Sequence, residues 1–382
     1  RTRRHPGWGL SQDDWDAHDS DAHRSTPMQL NLSLAKRVTR RLAVRRAPEF
    51  HTFASREWVL CPSERARIPP AIHLPGAIEK VRALSPWRNW DTERVLLAGG
   101  VIDHAASVAR EISNVDLAGA FLYRGAAKLQ PGFGEERWFG FGQDLGPREG
   151  LDQVHLMTSQ SGSHFFGTLM LDDMPLGLIP RPEDRCIAMV SKSYVHEAGY
   201  RALLGLPRPR EVHHARIRRL VCYTDFAQNS FKQARYEQLR ARLRAALAQD
   251  PQRVPSLGVY LRRGIGGEPR VLVNEAELER SLQALGFDIL DPEHLSAREI
   301  AERSLDARVV VAVEGSHLSH AIFSAADQAS FLVIQPPDRF ALAYKEYTDR
   351  VGMRFALAVA DPAPGGFTVA LDDIHRLLEQ LL

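Results

Sequence analysis

Along the second half of the chain, short apolar runs rich in β-branched residues alternate with longer stretches whose apolar residues recur every three or four positions. The runs RIRRLVCYTDF, PSLGVYLRRG, FDILDP, ARVVVAVEG and ASFLVIQ read as strands. Between them, SFKQARYEQLRARLRAALAQ, NEAELERSLQALG, LSAREIAERSLD and HLSHAIFSAA read as helices. This alternation predicts βαβ units and a doubly wound parallel sheet, in which ligands bind beyond the carboxyl ends of the strands. Val309 to Val313 is apolar without a break, as a strand covered on both faces must be. Glu314-Gly315-Ser316 ends that run and can cap a helix beginning near His317. A strand, a glycine turn and a helix N-terminus together make an anion site.

The first half is less regular. Strand candidates such as RVLLAGGVIDH and LAGAFLYRG are broken by prolines and glycines, and SHFFGTLMLDDMPLGLI begins with the length and face of a helix. Cys186 to Val190 reads as a strand followed by a helix around His196 to Leu204. Pro207 and Pro209 then make GLPRPREVHH the expected linker. The divisions expected are a polar, disordered tail over 1–47, an N-terminal α/β domain over 48–210 and a Rossmann-like C-terminal domain over 211–382. The last segment, FTVALDDIHRLLEQLL, predicts an amphipathic helix that packs back on the N-terminal domain or on a partner.

Composition narrows the class. With 382 residues, 44% hydrophobic and 25% charged, the chain can bury two cores, and a net charge of +2 does not imply nucleic acid. Three dispersed cysteines, Cys61, Cys186 and Cys222, argue against a disulfide framework or a CxxC metal motif and fit a reducing compartment. No window approaches about 18 apolar residues, so no transmembrane span is expected. Asp19-Ser20-Asp21 matches a metal-binding DxD pattern but lies in a solvated acidic run. Gly264 to Glu268, GIGGE, is an incomplete phosphate loop and reads better as a mobile loop over a cleft. A nucleotide-dependent oxidoreductase would need a complete glycine fingerprint, and none is present.

From Val259 to Ala326 the residues carry a resemblance. A tyrosine followed by arginines, Asn-Glu opening a helix, Gly-Phe, Pro-Glu, Leu-Ser before a helix and a glycine loop before Leu-Ser occur in the order and spacing of glycosyltransferase family 61. SHFFGTLMLDDMP is similar to the family's helix ending in aspartate, two residues and proline, and YTDFAQNSFKQARYEQLR resembles bacterial members. The resemblance implies a GT-B fold, two Rossmann-like domains facing a cleft. It also implies inverting, metal-independent transfer from a nucleotide sugar to a glycan or lipid-linked glycan acceptor in capsular or other surface-polysaccharide assembly. The expected setting is the cytoplasm, or the periphery of the inner face of the membrane, with no cofactor and no metal.

The site residues follow from both lines. Arg262 and Arg263, at a strand end, can hold a diphosphate bidentately, and Gly315, Ser316 and His317 can offer backbone N–H groups. Asn274 and Glu275 fit either donor binding or the start of a helix, where Asn caps and Glu complements the dipole. Asp172 falls where the family's helix aspartate lies and is the candidate base, while its neighbour Asp173 could equally be the buried one of the two. Glu314 and His320 complete the candidate catalytic set. The loop departs from the family's His-Gly-Ala-Gly-Leu-Thr-Asn, with Glu314 for the histidine, His317 for a glycine and His320 for the asparagine. That departure keeps open a non-catalytic relative that binds polysaccharide or an assembly partner.

Overall fold

The computed structural model describes residues 48–125, 127–134, 148–247, 256–264 and 270–382. The tail over 1–47, with Asp19-Ser20-Asp21, and residues 265–268 of the glycine-rich loop lie outside the described residues.

The first sheet is built from β1 (Ala54–Cys61), β4 (Ser107–Ala118), β5 (Phe121–Arg124), β6 (Ala127–Leu129), β7 (Glu149–Leu156), β8 (Cys186–Ala188), β9 (Arg210–Glu211) and β10 (His214–Thr224). Between β1 and β4 the chain forms the separate pair β2 (Glu64–Ile68) and β3 (Gly100–His104). The eight strands run in the order β6-β5-β4-β10-β7-β8-β9, with β1 also pairing β4. β4 is antiparallel to β1, β5 and β10, whereas β7 is parallel to β10 and β8. This mixed sheet differs from the second parallel Rossmann-like sheet expected from the sequence. RIRRLVCYTDF, expected to open the C-terminal unit, instead supplies β10 at the centre of this sheet, where Ile217, Leu220 and Cys222 join a core with Ile112, Val115 and Val154. An apolar strand ahead of a βαβ series looks the same from sequence whether it pairs forwards or backwards.

The second sheet is wholly parallel, with β11 (Gly258–Leu261), β12 (Phe287–Leu290), β13 (Val309–Val313), β14 (Ser330–Gln335) and β15 (Arg354–Val359) ordered β12-β11-β13-β14-β15. Side chains alternate between two apolar layers: Val310, Ala312, Phe331 and Val333 face one, and Val309, Val311, Val313 and Leu332 the other. Helices cover both layers, so the doubly wound expectation holds for this sheet. Strand order reverses between β11 and β13, which places a crevice at their carboxyl ends, after Leu261 and Val313.

In chain order the longer helices are α1 (Trp90–Ala98), α2 (Glu197–Leu203), α3 (Ser230–Leu247), α4 (Glu275–Ala284), α5 (Ala297–Ser304), α6 (Ala343–Arg350) and α7 (Leu371–Leu381). Part of RVLLAGGVIDH, read as a strand, belongs to α1, because the Asn89 side chain accepts from the Thr92 N–H and starts a helix. At α5, Ser296 and Glu299 form a reciprocal capping box. α7 lays Ile374, Leu377, Leu378 and Leu381 against the five-stranded sheet, not against the first sheet. That face matches the Val309, Val311 and Leu332 layer beside which α4 already lies. Residues 69–98 cross to this second sheet: Ile72 forms a parallel bridge beside the edge strand β15, and Trp90 stacks on Phe340.

Candidate functional site

The loop after β13 is held by cations. Arg263 and Arg270 both donate to the Glu314 carbonyl, at 3.1 and 2.8 Å, and the Glu314 carboxylate pairs Arg270 at 2.9 Å. Gly315, with φ of 151°, lies against both guanidinium groups: a Cβ there would overlap Arg263 and come within 2.9 Å of Arg270 Nη1. Burial, and then the neighbouring Arg270, pull the Arg263 guanidinium down to about 10. Arg339 adds a third positive charge that Arg263 feels. The chain beyond Gly315 differs from the helix expected there. It makes one tight turn, Ser316–Leu318, and one α turn, Ser319–Ile322, so the dipole is short and the positive field comes mainly from arginine.

His317 is buried without a partner for Nε2 among the described residues. Burial, reinforced by Arg263, keeps it well below the usual histidine value and therefore neutral. His320 is buried as well: Tyr200 Oη lies 2.7 Å from its Nδ1, and the rings of Phe166 and His196 pack on it. Burial keeps it neutral, and its contacts are those of a core side chain.

Three expected donor ligands have other partners. Arg262 is tied to Glu279 and, at 3.2 Å, to Asp291. Asn274 stands at the start of α4 without capping it, its amide bonding Val369 in both directions at 2.8 and 3.1 Å. Glu275 accepts from the buried Tyr260 hydroxyl at 2.6 Å. The structure therefore brings Arg263, Glu314, Gly315, Ser316 and His317 together, and gives Arg262, Asn274 and Glu275 structural contacts.

The other expected residue, Asp172, lies on a broken helical stretch. Ser159 starts it by accepting from the Gly162 N–H, and Leu169–Asp173 widens into a π turn before Pro175. Such π turns often mark functional positions. α3 anchors the stretch from below: Lys232, fully buried, reaches Asp172 Oδ1 at 2.5 Å, and Tyr236 donates to the Leu171 carbonyl at 2.5 Å. Tyr347 donates to the second Asp172 oxygen at 3.0 Å, so both oxygens are held. Asp173 differs. One oxygen accepts from the Ser159 N–H at 3.0 Å, the other has no hydrogen-bond partner among the described residues, and burial pushes its carboxyl up to about 7.

Both aspartates line a cleft of about 590 Å³ beyond the carboxyl ends of the parallel strands β7 and β10. His51, Gln160, His164 and Thr224 supply polar groups to its wall, and the exposed rings of Phe165 and Phe226 stand at its border. The same helical stretch reaches the glycine loop. Gly167 leaves room for Tyr344 and Ser316, whose Cα would be 3.3 Å from a Cβ at that position. Sequence reading missed Arg270, Arg339, Lys232 and the aromatic border; for Arg270, six residues beyond Gly264, the signal available was another arginine after the same strand.

Residues 144–331, just under half of the chain, match the model of the family described as Glycosyltransferase 61. The match begins just before β7, passes the glycine loop and ends at the start of β14, and it supports sugar transfer as the class of activity. A search of curated proteins finds no match. Among the described residues, no helix is long and apolar enough to cross a membrane.

Proposed function

We propose that the chain belongs to glycosyltransferase family 61 and moves a sugar from a nucleotide-sugar donor to a glycan or lipid-linked glycan acceptor, with inversion at the anomeric carbon. The observation that carries this reading is the pair of guanidinium groups, Arg263 and Arg270, closed over Gly315 at the point where the parallel strand order reverses. A diphosphate there gains charge-assisted hydrogen bonds from groups already fixed in place, which is how a leaving group is stabilised as its charge develops. The five-stranded sheet is then the donor side, and the cleft of the eight-stranded sheet the acceptor side.

Asp173 is the better base than Asp172. A carboxyl with a pKa near 7 and an unpaired oxygen can take a proton at neutral pH, whereas Lys232 and Tyr347 hold Asp172 as a charged anchor. As Asp173 accepts the acceptor hydroxyl proton, that oxygen forms the new bond to the anomeric carbon. The bond to the diphosphate breaks, and its electron pair leaves on a phosphate oxygen facing Arg263 and Arg270. Metal independence follows in this proposal from the arginines taking the role of a cation. A place in surface-polysaccharide assembly, in the cytoplasm or at the inner membrane face, extends the family resemblance.

One observation favours a second reading, a non-catalytic glycan-binding relative: the Glu314 carboxylate already neutralises Arg270. A thermal-shift and nucleotide-release screen against nucleotide sugars, with and without chelator, separates the two. Stabilisation by one donor with slow release of its nucleotide, unchanged by chelator, supports transfer. No response to any donor overturns it in favour of the binding protein.

A further inference from the structure

A second polar cavity, of about 390 Å³, lies on the first sheet against β1, β4, β10 and β7. Its floor is set by strand register. Arg56 stands opposite Glu111, Glu111 opposite Val221, and Val221 opposite His155, so the four occupy one row across four strands. Residues directly opposite one another share a face, so these side chains project together from a rigid surface. Two positions along, Trp58 and Tyr223 both pair with Ala109 and add aromatic rings beside the row. Arg219, two positions the other way, and Asp184 on the covering segment complete the lining used here.

The ordinary explanation of such a row is the solvated outer face of a sheet. Two features oppose it. His155 is 7% exposed, its Nδ1 lies 2.6 Å from Tyr223 Oη, and its Nε2 has no hydrogen-bond partner among the described residues, the Asp184 carboxylate being 3.7 Å away. The Nε of Arg219, in the same cavity, is likewise buried without a hydrogen-bond acceptor. Buried polar atoms left without partners are costly and point to a missing ligand group. Burial keeps His155 below its ordinary value, so at neutral pH Nε2 is an uncharged group able to bond a hydroxyl.

We infer that this cavity is a saccharide-binding site, accepting one or two neutral sugar rings of a glycan. The chemistry is that of a polyol: aromatic rings for the apolar face of a pyranose, with carboxylate acceptors (Glu111, Asp184) and a guanidinium donor (Arg219) for neighbouring hydroxyls. The wall carries charges of both signs, and the volume lies in the range of small-molecule sites. Arg56, 5.2 Å over the Trp58 ring, holds that ring in place. Tyr223 also lines the larger cleft, so the two cavities are neighbours. The site does not depend on the donor assignment, because it belongs to the other sheet.

The test is titration calorimetry and saturation-transfer NMR on the full chain with xylose, glucose, galactose, glucuronate and their 1,4-linked disaccharides, without any nucleotide. One or more neutral sugars should bind, at least tenfold more weakly to Trp58→Ala and to Arg219→Leu, with unchanged far-UV spectra and melting, and equally well to Arg263→Ala. Absence of binding at millimolar sugar, binding of glucuronate or inorganic phosphate alone, or equal affinity in both pocket variants overturns the inference. A sugar response that survives while every nucleotide sugar fails refutes the transfer reading and leaves this one standing.

Discussion

The anion loop and the acceptor cleft are built by opposite strategies. At the loop, Arg263 and Gly315 follow neighbouring parallel strands, and the fold alone brings them together. In the cleft, His51, Asp173 and Thr224 come from distant segments, and their chemistry depends on what buries them. The contrast teaches that a binding position can be inherited from a sheet, while a tuned carboxyl has to be assembled: Asp172 and Asp173 are adjacent in sequence, yet one is locked by Lys232 and the other is left with a carboxyl near 7.

The largest effect that would break this contrast is expected at Asp173. Asp173→Asn should lower kcat by about 10²–10⁴-fold with little change in donor affinity, as loss of a general base does; equal activity in steady-state assays would return the role to Asp172. The pH dependence sharpens the same point. Because the ionised form is the base, kcat should rise with pH up to about 7 and then level off. Stability has the opposite sign: the folded state keeps a proton that the unfolded chain loses at lower pH, so stability should fall as pH rises from the ordinary aspartate range through about 7.

Next in size, Lys232→Met should cost about 3–5 kcal/mol in denaturant unfolding, since it leaves the buried Asp172 charge without its ion partner. A loss under about 1 kcal/mol would mean the pair is not the anchor proposed. Arg263→Ala should reduce turnover by about 10²–10³-fold, the scale of one lost oxyanion-type donor, and abolish the donor-induced thermal shift. The smallest effect belongs to Arg262→Ala: its partners Glu279 and Asp291 hold it at a half-exposed surface, so stability should change by about 0–1 kcal/mol and donor affinity not at all. A strong loss of donor binding there would restore Arg262 to the site.

Why some of this was legible in the sequence follows from the same contrast. Val309 to Gly315 is a continuous run, and strand, turn and glycine are local signals, so the loop and its parallel sheet could be read directly. The short turn after Ser316 could not, because its end is fixed from outside, by Arg240 donating to the Ile322 and Ala325 carbonyls at 2.6 and 2.7 Å. Asn274 and Glu275 fit the pattern of a helix start and of a ligand pair equally well, and only Val369 and Tyr260 decide between them. The first sheet was the least legible part. Its antiparallel pairings join Ala54–Cys61, Ser107–Ala118 and His214–Thr224 across long separations, and alternation within one strand carries no record of its neighbour.

The crossing of residues 69–98 to the second sheet bears on how the chain is made. Ile72 exchanges backbone hydrogen bonds with Phe355 and Leu357, and Leu342 donates to the Glu93 carboxylate, so this segment finds these partners only after about 250 further residues have been made. At ribosomal speeds of about 5–20 residues per second the wait is on the order of tens of seconds. Throughout it, Leu74, buried in the finished protein among Val309, Leu332 and Ala356, lacks the layer it packs into. The edge strand β15 and the stretch that covers it can therefore come together only after translation has passed both.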